Sequence, residues 1–499
     1  MKYEIVSGLE THVELATKTK IFCGCTTAFG GSPNTHCCPV CTGMPGTLPI
    51  LNKQVVKYAI RAGLATHCKI NLITRMDRKN YTYPDLPKSY QISQFDKPVC
   101  EHGYVTLSSG KKIGITRIHI EEDAGKLVHE GGYTFVDYNR GGVPLIEIVS
   151  EPDISSWDEA KEYIEKIQLI MRYIGVSDCK MQEGSIRADV NISLREFGQT
   201  TFGTRTEIKN MNSLSHIEKA MRYEYERQAD ILSSGGKVVQ ETLRFNEEDG
   251  TTSSMRGKED AQDYRYFPEP DIITVKITEE EVEEIRKSLP ELPDDRYARF
   301  IGEMALSTAT ATQILKYKKV ADYFDAVCKA GASAKNTANL ITGTVFSLLG
   351  TESDKEKFDV KIAVLDFAQL VKYVDEGKYL FNNAQKTITK MMETGEKLSD
   401  LVKPEDVAGF PEDKLIELCK QAVEKNPVAI ENYKSGNLKS ISNGFKKIGC
   451  DVEITSSIEK IADSDYLVLP GVGAFGSAME NLEEFKKVIH EHVDDDKPF

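Results

Sequence analysis

The sequence predicts an α+β protein whose main domain, residues 1–293, is built on a large and mostly antiparallel sheet. In residues 186–195 apolar and polar side chains alternate without a break, as in a strand with one buried face. Segments of helical periodicity, 156–172 and 215–232, lie between shorter strand-like segments. Glycines and prolines separate these segments, and such residues favour turns. We therefore expect strands and helices to be mixed within one large domain.

Two further regions are expected directly after this domain. The acidic stretch 290–295 contains two prolines, which predicts a linker. Residues 294–405 are rich in Ala, Leu, Lys and Glu at helical spacing, so they predict a small all-α domain. Residues 406–434, with a helix predicted over 412–423, are expected to begin a third domain.

The last segment, residues 435–499, has a different pattern. It predicts a helix over 438–448, followed by strands at 451–455 and 465–469 and then a glycine turn. Alternation of helix and strand is typical of an α/β fold. Too little sequence follows for such a fold to be finished, so we expect an incomplete α/β tail.

Composition limits the classes of function. The chain has 499 residues, with 63 Lys and Arg against 77 Asp and Glu, and a formal net charge of −14. This balance argues against binding nucleic acid mainly by long-range attraction, although it is compatible with a local basic groove. No apolar run reaches the roughly 18 residues of a membrane span, and the N-terminus does not resemble a signal peptide. We expect a cytoplasmic protein without membrane contact.

The cysteines are concentrated in one place. Five of the 11 lie between residues 23 and 41. Two close pairs, Cys23 with Cys25 and Cys38 with Cys41, are able to supply four thiolates in a tetrahedron, which suits Zn²⁺. Four thiolates leave no open coordination position, so we predict a structural zinc knuckle over about 23–41. The alternative is a chance grouping of cysteines.

A second candidate metal site lies near the N-terminus. On a strand, Glu10, His12 and Glu14 project from the same face because successive side chains alternate. Such a face predicts a divalent cation site, with Mg²⁺ favoured if phosphate supplies further ligands. The alternative is a solvated polar face.

Two other strands strengthen the cation interpretation. The segment 119–123 contains His119, Glu121 and Glu122, and the alternating strand 186–195 presents Arg187 and Asp189. Three strands that each carry acidic and basic groups predict a polar pocket over the sheet. Spacing alone does not choose between Glu121 and Glu122.

Basic residues are interleaved with tyrosines in several loops. The segments 77–85 and 263–271 are of this kind, and 137–147 adds glycines that permit close backbone approach. They suit a phosphate-bearing ligand with a base that stacks, either a nucleotide or the end of an RNA. The alternative is a set of structural loops.

These motifs together carry a family resemblance that extends from the N-terminus to about Tyr433. The most specific are Gly8-Leu9-Glu10-Thr11-His12-Val13-Glu14, the four cysteines, Asp77-Arg78-Lys79-Asn80-Tyr81, Gln91-Ile92-Ser93-Gln94, His119-Ile120-Glu121-Glu122-Asp123 and Asp263-Tyr264-Arg265-Tyr266-Phe267-Pro268-Glu269-Pro270-Asp271. They resemble the B subunits of aspartyl/glutamyl-tRNA amidotransferases.

The resemblance implies a ligase that works within a heterotrimer. The A subunit would release ammonia from glutamine, and the small C subunit would brace the complex. This chain would bind misacylated Glu-tRNA(Gln) or Asp-tRNA(Asn), phosphorylate the side-chain carboxylate with ATP and amidate it. A non-catalytic, zinc-dependent RNA-binding module is the second hypothesis.

The resemblance also assigns residues. It implies Glu10, His12 and Glu122 as Mg²⁺ ligands and Lys79, Tyr81 and Asp189 as the surrounding catalytic pocket. We further predict that four basic residues bind the cofactor ATP. They are Lys79, Arg140, Arg187 and Lys209.

From about Ser435 the sequence instead resembles the glutamine amidotransferase subunit of imidazole glycerol phosphate synthase. The opening motifs of that family stand at 436–441 and 467–476, whereas its nucleophilic cysteine and the His and Glu partners are missing. We expect this segment to be inactive and to result from a rearrangement or assembly chimera. A functional fusion is the alternative. The replaced tail puts contact with the body of the tRNA in doubt.

Overall fold

The computed structural model describes residues 3–257 and 263–407, and within the tail 416, 420–421, 424–425, 442–447, 449–468 and 485–494. The chain divides into two compact units, Met1–Leu401 and Val402–Phe499. The domain boundaries at 293, 405 and 434 stay predictions.

Sixteen strands occur among the described residues. Their bounds are β1 Tyr3–Glu14, β2 Lys69–Ile70, β3 Ile73–Thr74, β4 Asp77–Asn80, β5 Tyr90–Ser93, β6 Cys100–Thr106, β7 Lys112–Glu122, β8 Lys126–Glu130, β9 Tyr133–Asp137, β10 Pro144–Ser150, β11 Ile186–Glu196, β12 Thr206–Met211, β13 Glu241–Phe245, β14 Thr252–Gly257, β15 Phe267–Pro268 and β16 Val275–Lys276. Nine of them form a central sheet in the order β14-β13-β12-β11-β1-β10-β7-β6-β2. In the described part of this sheet every pair is antiparallel except β12–β13. The mixed α+β fold with a mostly antiparallel sheet is thereby confirmed.

The helices have the following bounds. They are α1 Lys53–Ala65, α2 Trp157–Tyr173, α3 Leu214–Ser233, α4 Glu279–Lys287, α5 Pro293–Gly302, α6 Thr308–Leu315, α7 Lys318–Lys329, α8 Ala334–Asn339, α9 Phe346–Leu349, α10 Glu352–Lys357, α11 Val364–Asp375, α12 Phe381–Thr394, α13 Leu398–Leu401, α14 Pro404–Val407, α15 Ile458–Ala462 and α16 Lys486–Asp494. A 3₁₀ turn at Met181–Glu183 and a π-helical turn at Leu340–Val345 complete them.

One face of the central sheet packs against the long helices. Leu9 and Val13 of β1 are 1% and 0% exposed, and they belong to one apolar core with residues of α1, α2 and α3. Alternation along the strand sends Glu10, His12 and Glu14 to the opposite face. One face of the sheet therefore belongs to the apolar core, and the other carries a row of largely buried polar side chains.

Local sequence signals explain where the long helices begin. Ser156 caps α2 by accepting a hydrogen bond from the backbone N–H of Glu159, and acidic residues occupy its first turn. Ser213 caps α3 in the same way. Both predicted helices are confirmed within two residues of their expected bounds.

Three small sheets accompany the large one among the described residues. The first has the order β15-β4-β5, the second pairs β16 with β3, and the third pairs β8 with β9. In the first, β5 contacts β7 of the central sheet, and Gln94 accepts a hydrogen bond from the backbone N–H of Ile120 at 2.9 Å. This contact brings the Lys- and Tyr-rich segment beside the central sheet.

From α5 to α13 the unit is helical, as the sequence predicted. The predicted linker is shorter than expected, because α5 already begins at Pro293. Proline at the first helical position followed by Asp294 and Asp295 is a helix start, and the acidic pair stabilises the N-terminus of the helix.

The tail unit agrees with its prediction only in part. Residues 442–447, the described part of the helix predicted over 438–448, are helical. Residues 451–455 and the described part of the second predicted strand, 465–468, are not strands. A strand needs a neighbouring strand to pair its backbone groups, and the described tail residues supply none. The predicted helix at 412–423 falls largely outside the described residues. Across the described chain, no helix combines the length and apolar character that crossing a membrane requires.

Candidate active site and metal centres

Four adjacent strands place one row of polar side chains on the face of the central sheet opposite the apolar core. His12 of β1 is the register partner of Arg187 on β11 and of Glu147 on β10. Glu147 is in turn the partner of His119 on β7. Directly opposed residues on one face have Cβ atoms about 4.5–5.5 Å apart. The register therefore brings two imidazoles and a carboxylate together.

Glu121 joins this row from the next position on the same face of β7. The Nε2 atom of His12 lies 3.6 Å from Glu121 Oε1 and 3.5 Å from Glu147 Oε2. One ligand atom from each of the three residues lies within 4.8 Å of the others. We call His12, Glu121 and Glu147 the histidine–glutamate centre.

The electrostatics of the centre reflect crowding of negative charge. Burial opposes ionisation of Glu147, but the charges and hydrogen bonds of His119 and His12 hold its pKa well below the ordinary value. Burial opposes protonation of His119 as well, yet Glu147 and Glu121 raise its pKa to about 9. The imidazoles and the carboxylates of this centre thus favour one another's charged forms.

Glu122 lies elsewhere. Glu122 directly follows Glu121 on β7, so its side chain projects from the opposite face of the strand. Its carboxylate accepts hydrogen bonds from Lys88 Nζ at 2.5 and 2.6 Å and from the backbone N–H of Ile92 at 2.9 Å. Of the three predicted magnesium ligands, only His12 belongs to the histidine–glutamate centre. The structure places Glu121, not Glu122, beside His12.

Glu10 belongs to a second group with Asp189 and Glu207, whose carboxylate oxygens also lie within 4.8 Å of one another. Lys209 Nζ binds Asp189 Oδ2 at 3.1 Å and Glu207 Oε1 at 2.9 Å. Burial lowers the pKa of Lys209, but these carboxylates outweigh it and raise the pKa above the ordinary value. Lys209 thus supplies the positive charge that balances this group of carboxylates.

Lys79 and Tyr81 face the same region from β4 and the loop that follows it. Burial alone would lower the pKa of Lys79, yet the charges of Glu121 and Glu147 contribute to raising it. Its ammonium lies 4.9 Å from the ring centre of Tyr264 and 5.7 Å from that of Tyr81. Tyr81 also lines a cavity of about 720 Å³ together with Asn80, Thr82, Ser89, Asp263, Arg265 and Phe267.

Arg187 and Arg140 converge on Asp123. Arg187 donates to both oxygens of Asp123, at 2.9 and 3.3 Å. Arg140 donates to the carbonyl oxygens of Ala124 and Gly125 at 3.0 and 2.9 Å. Burial opposes ionisation of Asp123, but the two arginines lower its pKa. Both guanidinium groups thus form hydrogen bonds with the loop that follows β7.

The four predicted cysteines are also brought together. The sulfur atoms of Cys23, Cys25, Cys38 and Cys41 lie within 4.8 Å of one another. The pKa of Cys41 falls to about 4, chiefly through a hydrogen bond from Cys23, while burial opposes the change. A thiol that ionises so readily in a cluster of four suits a metal ion. The donor set fits Zn²⁺.

Two family models and several known proteins match this chain. A family model described as the GatB/GatE catalytic domain matches residues 5–283, and one described as a GatB domain matches residues 322–443. The chain belongs to the GatB family. Among similar proteins is the B subunit of aspartyl/glutamyl-tRNA(Asn/Gln) amidotransferase from Thermoanaerobacter sp. (strain X514), 51% identical over 446 residues, which are 88% of this chain and 94% of that protein. The B subunits of the same name from Caldicellulosiruptor saccharolyticus and Brevibacillus brevis are 49% and 46% identical, each covering 88% of this chain and 93% of theirs.

Within this GatB-family chain, sequence reasoning did not select Glu147, and it placed His119 in the polar pocket without assigning it as a metal ligand. The signal that could have found His119 and Glu121 is alternation with Ile118 and Ile120, which are 0% and 1% exposed. Buried isoleucines on one face put the histidine and the glutamate together on the other. Glu147 sits in an almost wholly apolar strand, so only the register of β10 reveals it.

Proposed function

We propose that this chain is the B subunit of a tRNA-dependent amidotransferase, an ATP-dependent ligase that converts Glu-tRNA(Gln) or Asp-tRNA(Asn) to the amidated form. Membership of the GatB family and the names of its relatives support the reaction. The observation that carries the site is the histidine–glutamate centre with Lys79 beside it. The A and C subunits would be its partners, and the A subunit would supply ammonia from glutamine.

The chemistry explains why such a centre is required. A carboxylate resists attack by ammonia because it is anionic and has no good leaving group, whereas an acyl phosphate has one. Transfer of the phosphoryl group demands that developing negative charge be neutralised. A divalent cation, Mg²⁺ in our proposal, would supply that neutralisation when bound.

The chain's own residues would position the reactants. His12, Glu121 and Glu147 would hold the cation. Glu10 would add a carboxylate near the cation, on the side where Asp189 lies. Lys79 would place a fixed positive charge beside the phosphate. Burial raises the pKa of Tyr81 to about 12, so its hydroxyl stays a hydrogen-bond donor at neutral pH.

Three other basic residues have more constrained roles in the proposal. Arg187 lies next to His12 in the register and would contribute positive charge while it anchors Asp123. Arg140 would shape the loop, since its guanidinium already donates to two backbone carbonyls. Lys209 would contact ATP only by exchanging its bonds to Asp189 and Glu207.

The cysteine cluster would hold a structural zinc ion. Lys20 supports this assignment, because its side chain is 0% exposed and its Nζ atom lies 3.7 Å from Cys41 Sγ and 3.0 Å from the carbonyl oxygen of Tyr138. A buried ammonium group beside thiols is favoured where those thiols are ionised. The zinc would then fasten the knuckle to the segment that carries Arg140.

The test is ATP hydrolysis by the reconstituted heterotrimer with Glu-tRNA(Gln). We expect His12→Ala to lower phosphate release by about 100-fold or more, since a cation ligand at a phosphoryl-transfer site is removed. His129→Ala is the matched control, because His129 lies exposed on the β8–β9 hairpin. Unchanged phosphate release in His12→Ala would overturn the site and favour the non-catalytic RNA-binding hypothesis.

Cytoplasmic location, contact with the tRNA body and inactivity of the segment 435–499 stay predictions. The relatives support the separate character of this segment, since they match about nine-tenths of the chain and nearly all of their own length. Limited proteolysis of the complex would test it, with early cleavage after about residue 435 expected for an unfolded remnant.

A further inference from the structure

His119 stands in the cross-strand row but lies outside the group of three residues proposed to hold the cation. Its side chain is 5% exposed, and its Nε2 atom lies 3.3 Å from Glu147 Oε2 and 3.8 Å from Glu121 Oε2. The Nε2 atom of His12 lies 3.5 Å from the same oxygen of Glu147. The two imidazoles therefore approach one carboxylate oxygen from strands on either side of β10.

His119 shares its polar surroundings with His12, which the proposed function already makes a ligand of the cation. Among the described residues, the Nδ1 atoms of both His119 and His12 are buried without a hydrogen-bond partner. The carboxylates of Glu121 and Glu147 are thus the polar groups that orient both rings.

We propose that His119 is a fourth ligand of the centre, and that the resulting set of two imidazoles and two carboxylates binds a first-row transition dication in preference to Mg²⁺. The inference rests on the proposed function, because it concerns the same cation. Mg²⁺ prefers oxygen ligands and keeps several waters, whereas imidazole nitrogen favours transition metals. One histidine ligand is compatible with either class of metal, but a second histidine favours a transition metal over Mg²⁺.

Mn²⁺ is the probe, because its electron spin reports directly on bound nitrogen. The complete heterotrimer, free of ATP, is loaded with Mn²⁺ at less than one ion per complex, and ¹⁴N couplings are measured by electron spin-echo spectroscopy. We expect two histidine nitrogens in the parent and one in either His12→Gln or His119→Gln. His129→Gln, an exposed histidine given the same change, should keep both.

Competition with Mg²⁺ tests the preference separately. We expect His119→Gln to lower the excess of Mg²⁺ needed to displace Mn²⁺ by about tenfold, a typical cost of altering a group that holds a metal. An unchanged competition ratio in a variant that has lost one nitrogen coupling would overturn the preference.

The outcomes separate this inference from the proposed function. A single nitrogen in the parent, lost in His12→Gln and kept in His119→Gln, would overturn the role of His119 and leave the histidine–glutamate centre standing. No nitrogen coupling in the parent would overturn the centre itself. The parent spectrum decides between these outcomes even if a variant fails to assemble.

Discussion

The polar face of the central sheet and the helical region both gather charged side chains, and they balance those charges differently. In the helical region Arg296 and Arg299 share the carboxylate of Asp325, with N–O distances of 2.7–3.0 Å. Asp322 and Glu291 take the remaining guanidinium donors at 2.6–2.8 Å. We call these five residues the arginine cluster. Its positive charges are permanent.

Among the described residues, no guanidinium group is hydrogen-bonded to the carboxylates of the histidine–glutamate centre. These carboxylates contact imidazoles, which carry a positive charge only when protonated, while Lys79 and Arg187 act on them at longer range. Guanidinium groups stay charged at any working pH, so the arginine cluster is complete without a ligand. A carboxylate pair balanced by imidazoles is able to exchange the imidazole protons for a metal ion. The difference teaches that the source of compensating charge separates a structural cluster from a binding centre.

The largest expected effect tests the choice between two neighbouring glutamates. Glu121→Gln should lower ATP-dependent amidation by about 1,000-fold, about 4 kcal/mol in transition-state stabilisation, because it removes a charge from the cation centre. Mn²⁺ affinity should fall with it. Glu122→Gln is the matched control for metal binding and should keep the affinity, since that carboxylate binds Lys88. The reverse pattern of affinities would restore Glu122 as the ligand.

The arginine cluster should respond in stability rather than in metal binding. Asp325→Asn leaves two guanidinium groups without their shared carboxylate, and breaking such a buried pairing costs about 3 kcal/mol. Hydrogen exchange of the α5 and α7 amides in the complete complex would measure it. Asp294→Asn, at an ion pair with Lys166 where Asp294 is 61% exposed, should cost less than about 1 kcal/mol. Altered Mn²⁺ affinity in Asp325→Asn would contradict the distinction between the two clusters.

Much of the fold was predictable, because its signals are local. The alternating strand 186–195 is β11, and serine caps mark the starts of α2 and α3. The four cysteines were predictable for the same reason, since short loops hold both pairs. The tail strands failed because strand formation depends on a partner that periodicity does not reveal.

The candidate site was predictable only in part, because it depends on the pairing of distant strands. Glu10, His12 and Asp189 followed from alternation within single strands. Glu147 and His119 enter the site through the register of β1 with β10 and of β10 with β7, which pairs residue 12 with residue 147 and residue 147 with residue 119. A shift of one residue in the register of β7 with β10 would place Glu122, rather than Glu121, on the same face as His12.

The smallest expected effect is a pH dependence that belongs to the arginine cluster alone. Burial by itself would raise the pKa of Asp325, but hydrogen bonds from Arg299 and Arg296 outweigh burial and lower it. A carboxyl group whose pKa is lower in the folded protein stabilises the fold above its unfolded pKa, about 3.9. That stabilisation is lost as the pH falls through the folded pKa.

We therefore expect the stability difference between the parent and Asp325→Asn to be constant from about pH 5 to 8 and to shrink below about pH 4, where protonated Asp resembles Asn. Hydrogen exchange of α5 and α7 across this range would measure it, with Asp294→Asn as the exposed control. A difference that changed between about pH 6.5 and 9 would implicate titration of the histidines instead, since the pKa of His119 is raised to about 9. The arginine cluster would then not be electrostatically independent of the histidine–glutamate centre, and the contrast between permanent and exchangeable compensating charge would fail.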